Sequence, residues 1–135
     1  MKLHHIGIVV ADIAAATPWW RDTLGYRPTT GVVHDPRQKV NVQMFAALDG
    51  SSIELIEPAD ETSPVTRFLA ERGGGLYHIC YEVEDIEAAV AQWRQAGAFP
   101  AKRMEPAEAF QGRRVVFFIA PNRMLFELVE AEPAR

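Results

Sequence analysis

"LHHIGIVVADIAAATPWWR" (residues 3–21) and "LYHICYEVEDIEAAVAQWR" (residues 76–94) carry one pattern written twice. A constant shift of 73 positions aligns them without a gap, and ten of the nineteen positions are identical, including His5 with His78, Asp12 with Asp85, Ile13 with Ile86 and Trp20 with Trp93. The same shift carries Ile53-Glu54-Leu55-Ile56-Glu57 onto Phe126-Glu127-Leu128-Val129-Glu130. A histidine near the start of each copy and a glutamate near its end therefore recur as pairs. Repetition at this period predicts one supersecondary unit used twice.

Each copy reads as β-α-β-β-β. Residues 4–10 and 77–83 are short β-rich runs, and Asp12 and Asp85 follow them where a helix N-cap belongs, since a carboxylate there accepts from free amides of the first turn. Ile86, Ala89, Val90 and Trp93 recur at helical spacing before Gly97; Ile13, Ala16, Trp20 and Leu24 do the same before Gly25, with Pro18 predicting a late start or a kink. Strands are expected over 40–48 and 52–57 around Asp49-Gly50, and over 113–119 and 124–130 around Pro121-Asn122, with a weak strand in 26–34 and another in 98–104. Between the copies, residues 63–71 predict a short amphipathic helix, with Val65, Phe68 and Leu69 on one face, ahead of a Gly73-Gly74-Gly75 joint. The expected organisation is a single domain: module one 1–57, connector 58–75, module two 76–135.

The bulk numbers bound the rest. At 135 residues with 48% hydrophobic and 24% charged, the composition is globular. A formal charge of −4 argues against a nucleic-acid surface. The apolar runs are far shorter than the ~20 residues of a membrane span, so no membrane role is expected. The single cysteine, Cys80, cannot form an internal disulfide, and a cytoplasmic location is expected.

Along a strand successive side chains face opposite sides, so His5 points away from Ile6, Ile8 and Val10, and His78 away from Ile79, Tyr81 and Val83. Glu54 and Glu127 are carboxylates inside apolar runs, where an ionised group is costly unless a cation or donors answer it. Any one of these four residues alone would be read as ordinary; two pairs at one offset point to a site of two imidazoles and two carboxylates for a divalent metal. His4 and His34 lack such partners. Glu57 and Glu130 are also paired, but on the opposite strand face, and are expected to face solvent.

The chain resembles the vicinal oxygen chelate superfamily of glyoxalase I, methylmalonyl-CoA epimerase, extradiol dioxygenases and bleomycin-resistance proteins, on "HHIGI", "SIELIEP", "LYHICYEV" and "LFELVE". Within it, "TSPVTRFLAERGGGLYHICYEVEDIEAAV" (62–90), "DPRQKV" (35–40) and "EPAEAFQGRRVVFF" (105–118) resemble the methylmalonyl-CoA epimerase branch. The resemblance implies an α+β fold in which two βαβββ modules form a curved incomplete barrel, metal ligands His5, Glu54, His78 and Glu127, and a homodimer. It departs from the branch at Arg37 and Lys39, at a short "APNRMLFEL" turn, and at Val42, where some epimerases offer an extra carboxylate.

Two imidazoles and two carboxylates suit Co, Ni, Mn, Fe(II) or Zn. The expected activity is movement of the α-proton of a small acyl thioester, an acyl-CoA among the candidates, or of a related carbonyl compound, with Glu127 as the base and Glu54 assisting. Gln43, Arg37, Gln111 and Arg113 are the candidate substrate-binding residues, with Lys39 and Arg114 as further cations for a substrate carboxylate or phosphate. Two alternatives stay open: a glyoxalase I-like lactoylglutathione lyase, and a non-catalytic protein holding a small molecule against Trp19, Phe45, Tyr81, Phe110 or Phe117.

Overall fold

The computed structural model describes residues 1–133, so the last two residues assigned to module two, 134 and 135, lie outside the described residues. The described residues form ten strands and three α-helices, a mixed α+β architecture. They fall into two compact units: one runs from His5 to Tyr77, and the other joins Met1–His4 to the segment from His78 onward.

The first unit contains most of β1 (Lys2–Val9), then α1 (Ile13–Pro18), β2 (Arg27–Pro28), β3 (Val33–Asp35), β4 (Val40–Ala46), β5 (Ser52–Pro58) and α2 (Pro64–Arg72). β1 runs parallel to β5, β5 antiparallel to β4, and β2 and β3 both pair with β4. The second unit repeats this with most of β6 (Gly75–Val83), then α3 (Ile86–Gln95), β7 (Phe99–Pro100), β8 (Glu105–Pro106), β9 (Arg114–Ile119) and β10 (Leu125–Glu130). β6 is parallel to β10, β10 antiparallel to β9, and β7 and β8 pair with β9. The weak strand of each copy is thus two short pieces, not one.

The helices begin as their sequences dictate. Asp12 and Asp85 are extended, and their carboxylates accept from Ala15 N (3.3 Å) and Ala88 N (3.0 Å). The two helices then differ because of Pro18. Having no N–H, it cannot bond the Ala14 carbonyl, and α1 passes into a wider π-type turn over Trp19–Thr23, closed by Leu24 N to Trp19 O at 3.2 Å. The wider turn shifts the phase, so Leu24 leaves the apolar stripe and is exposed, while Ile13, Ala16 and Trp20 keep to it. In α3, which lacks a proline, the whole predicted stripe of Ile86, Ala89, Val90 and Trp93 is packed.

Each unit has its own core between sheet and helix. Ile13 packs with Phe45, Ile53 and Leu55, flanked by Ile8, Val10, Ala16, Trp20 and Tyr26. Val83, Ile86 and Ala89 pack with Val116, Phe118 and Leu128, flanked by Tyr81 and Trp93. Each fully buried side chain of this size contributes about 1.5–3 kcal/mol. These clusters take up one face of the strands in each unit and leave the other for the histidines and glutamates.

Glu57 and Glu130 correct the expectation of solvent-facing groups: both are half-buried. Glu57 Oε1 accepts from Ile13 N at 3.0 Å, adding a second carboxylate to the start of α1. Glu130 instead accepts from the Arg114 backbone and guanidinium at 2.6 to 3.2 Å. An unpaired helix amide in one unit and an adjacent arginine in the other draw the two carboxylates in.

Candidate metal centre

In the first unit, His5, Gly7 and Val9 alternate on the buried side of β1, and Gly7 stands opposite Glu54 of β5. On the other flank Glu54 faces Met44 of β4. His5 Nε2 lies 3.5 Å from Glu54 Oε1, with the two side chains 0% and 7% exposed.

The second unit reproduces this register at the 73-residue shift. Cys80 stands opposite Glu127, as Gly7 does opposite Glu54, and Phe117 takes the place of Met44. His78 Nε2 lies 3.2 Å from Glu127 Oε1, the side chains being 1% and 3% exposed. The Phe117 ring stands edge-on to His78 with centroids 5.3 Å apart, an apolar wall beside the imidazole.

Both pairs fit a divalent ion. Imidazole nitrogen and carboxylate oxygen bind such ions at about 2.0–2.2 Å, and two ligands held at that length with angles between right and tetrahedral stand about 3.0–3.5 Å apart. The observed 3.5 Å and 3.2 Å fall in that span. An ionised carboxylate this deep is costly unless a cation or hydrogen-bond donors answer it.

Other candidate residues sit elsewhere. Gln43 faces the helix side of β4, opposite in sense to Glu54, and its amide donates to the Thr30 carbonyl at 3.0 Å; it braces the bend between β2 and β3. Arg37 is exposed on a turn whose Arg37 and Gln38 amides donate to Asp35 Oδ1. Lys39 donates to Thr62 Oγ1 at 3.0 Å. Gln111 is exposed at φ +53°, ending a short helical turn over Glu108–Phe110. Arg113 is half-buried against Glu82, and Arg114 bridges Glu130 and Glu87. Of the aromatics, Phe45 and Tyr81 belong to the helix-side cores, Trp19 is exposed, Phe110 is buried beside His4, and Phe117 stands by the histidine. Val42, on the Glu54 side of β4, is buried among Val40, Met44 and Ile56. Sequence reasoning passed over Cys80 and Glu82, which alternate with His78 along β6 and share its face; the alternation itself was the available signal.

Over residues 4–117 the sequence matches the family described as the Glyoxalase/Bleomycin resistance protein/Dioxygenase superfamily. The chain belongs to that superfamily. Within the superfamily, the ethylmalonyl-CoA/methylmalonyl-CoA epimerase of Cereibacter sphaeroides is 38% identical over 132 residues, which is 97% of this chain and 96% of that protein. The methylmalonyl-CoA epimerase of Mycobacterium tuberculosis has TM-score 0.86 at 29% identity, covering 98% of this chain and 89% of that one. A variant of the Streptomyces coelicolor methylmalonyl-CoA epimerase, solved in complex with 2-nitronate-propionyl-CoA, has TM-score 0.83 at 30% identity, covering 98% and 99%. The chain therefore sits in the epimerase branch of the superfamily, as its 62–90 stretch led us to expect, and has the superfamily's α+β fold. Among the described residues no helix is long and apolar enough to cross a membrane.

Proposed function

We propose that this chain is a divalent-metal-dependent epimerase of a small branched acyl-CoA such as methylmalonyl-CoA, its two modules acting as one domain. The observation that carries the reading is the doubled, buried His–Glu pair, set in the same strand register in both units. The epimerase relatives supply its substrate class. His5, Glu54, His78 and Glu127 would together hold one ion of Co, Ni, Mn, Fe(II) or Zn, a set that suits a borderline-to-hard cation. The chemistry such an ion supplies when bound is polarisation of the thioester carbonyl and stabilisation of the charge that develops on its oxygen.

The chain's own groups do the rest. Glu127 takes the α-proton: the C–H bond breaks, its electron pair moves into the enolate, and the carboxylate becomes a carboxylic acid. Glu54, starting as a carboxylic acid, returns a proton on the opposite face and is left as a carboxylate, which inverts the centre. Its surroundings on β4 and β5 are Val42, Met44 and Ile56, so no other titratable side chain of those strands shares its face. Phe117 and these aliphatic side chains keep water from the enolate. Gln111 and Arg113 in module two, with Arg37 in module one, are the groups proposed to meet the rest of the substrate. A cytoplasmic homodimer completes the proposal.

The test is elemental analysis of protein purified without chelator, followed by deuterium incorporation at the α-carbon of methylmalonyl-CoA with each divalent ion added in turn. The reading expects bound metal in stoichiometric amount and metal-dependent exchange. Glu127→Gln should keep appreciable metal and lose exchange by two orders of magnitude or more, about what a positioned acid–base group contributes. Exchange at the wild-type rate in that variant removes Glu127 from the mechanism, and absence of exchange in the metal-loaded wild type sinks the epimerase assignment.

A further inference from the structure

The two strand faces that carry the His–Glu pairs differ in charge at one end. At the 73-residue shift, Val9 and Val40 of module one become Glu82 and Arg113 of module two. The valines are buried and apolar. Their counterparts form an ion pair, Arg113 Nη1 to Glu82 Oε2 at 3.1 Å, with side chains 11% and 24% exposed. A part-buried pair where two valines suffice is weak evidence of a stabilising role, because desolvating two charges offsets much of their attraction. Its presence in one module calls for another role.

Arg113 is held firmly. Nη1 also donates to the Glu130 carbonyl at 3.2 Å, Nε to the Phe110 carbonyl at 3.4 Å, and the guanidinium carbon lies 5.8 Å from the Phe110 ring centre. Phe110 is itself buried and set edge-on to His4 at 5.3 Å. Among the described residues nothing accepts from Arg113 Nη2 and nothing donates to Glu82 Oε1. The pair thus keeps the Nη2 amino group and one carboxylate oxygen uncommitted, with no net charge. An anionic ligand would meet the Glu82 carboxylate, and a cationic one the guanidinium. A neutral group that both accepts and donates suits the pair, and secondary amides do so: a carbonyl accepts from Nη2 and an N–H donates to Oε1.

Placement gives that amide a source. Glu82 is four residues along β6 from His78, and Arg113 four residues ahead of Phe117, the residue opposite Glu127. At ~3.4 Å per residue the ion pair stands about 14 Å along the same face from the His78–Glu127 pair. A thioester of CoA extends from its sulfur as a pantetheine arm, a flexible chain interrupted by secondary amides. We infer that Glu82 and Arg113 form a subsite for a pantetheine amide, so that module two receives the arm while the acyl group lies at the metal ligands. This rests on the acyl-CoA reading above, and extends it to how the carrier is recognised.

The test measures binding rather than turnover. Propionyl-pantetheine and S-octyl thiopropionate, whose hydrocarbon arm has no amide, are titrated calorimetrically into the metal-loaded wild type, Arg113→Met and Glu82→Gln. The subsite predicts that Arg113→Met weakens propionyl-pantetheine about tenfold, the scale of a lost hydrogen bond to a charged group, and leaves S-octyl thiopropionate unchanged. Glu82→Gln, which keeps the side-chain shape, should show the same split at smaller size and stands in if Arg113→Met does not fold. Equal weakening of both ligands, or no weakening of either, overturns the subsite and leaves the pair a purely structural clamp. Should the split appear in a protein that epimerises no thioester, the epimerase reading fails while the subsite stands. If methylmalonyl-CoA is epimerised and the split is absent, the subsite fails while the epimerase reading stands.

Discussion

Replacing Gly74 with alanine tests how the chain passes from the connector helix into β6. Gly74 has φ +98°, and a Cβ built there would lie 2.6 Å from the Val9 carbonyl oxygen. That oxygen cannot retreat cheaply: Val9 pairs with Ile56 in the parallel β1/β5 ladder, and the next residue, Val10, donates to Ile56 O at 2.8 Å. The left-handed backbone costs an alanine about 1–2 kcal/mol, and forcing a methyl into a packed backbone contact costs about 1–3 kcal/mol more. The sum, about 2–5 kcal/mol, corresponds to a fall in Tm of about 6–20 °C for a chain of this length. Gly73→Ala is the control. Gly73 has φ +74°, ends α2 with its N–H on Leu69 O, and has open space where a Cβ would go, so only the backbone cost of about 1–2 kcal/mol applies. Thermal unfolding followed by circular dichroism at one scan rate separates the two. If Gly74→Ala falls no further than Gly73→Ala, the close approach to Val9 is not what holds the joint.

Three other outcomes follow from the duplicated elements. Glu57→Ala removes the second carboxylate from the start of α1 and should cost about 1 kcal/mol in urea unfolding, whereas Glu130→Ala should leave amide exchange at the start of α3 unchanged; fraying of α3 would refute the division of roles. Glu130 titrates below its ordinary value of 4.5, first because Arg114 donates to its carboxylate. A carboxyl lowered on folding contributes stability that is present above 4.5 and is lost as pH falls through the folded value, so the urea midpoints of wild type and Glu130→Gln should converge as pH falls below 4.5; a constant gap refutes the link. Pro18→Ala restores an N–H within α1, and backbone chemical shifts should report a regular α-helix through Thr23 with Leu24 returned to the buried stripe; an unchanged π turn would place its cause elsewhere.

The sequence showed much of this because duplication turns weak local signals into paired ones. Alternation along β1 and β6 was enough to place His5 and His78 on the face away from the helices, and the registers Gly7–Glu54 and Cys80–Glu127 then bring each carboxylate to its imidazole. What stayed hidden depended on partners remote in sequence. Glu57 finds the Ile13 amide 44 positions away, Gln43 the Thr30 carbonyl, and Arg113 the Glu82 carboxylate 31 positions away. No periodicity reports which of several polar groups a side chain will choose. The phase slip at Leu24 was hidden for a different reason: a proline announces that a helix is disturbed, but not whether it stops, bends or widens.

Glu57 and Glu130 began as the same letter in the same place and now serve different neighbours. The halves of this chain are consequently not interchangeable parts. A tandem built from two copies of residues 5–77 would retain two imidazole–carboxylate couples, yet it would carry valines where Glu82 and Arg113 stand and a prolyl interruption in both helices. Such a chimera would inherit the grip on an ion and lose the polarity that distinguishes one end of a long ligand from the other.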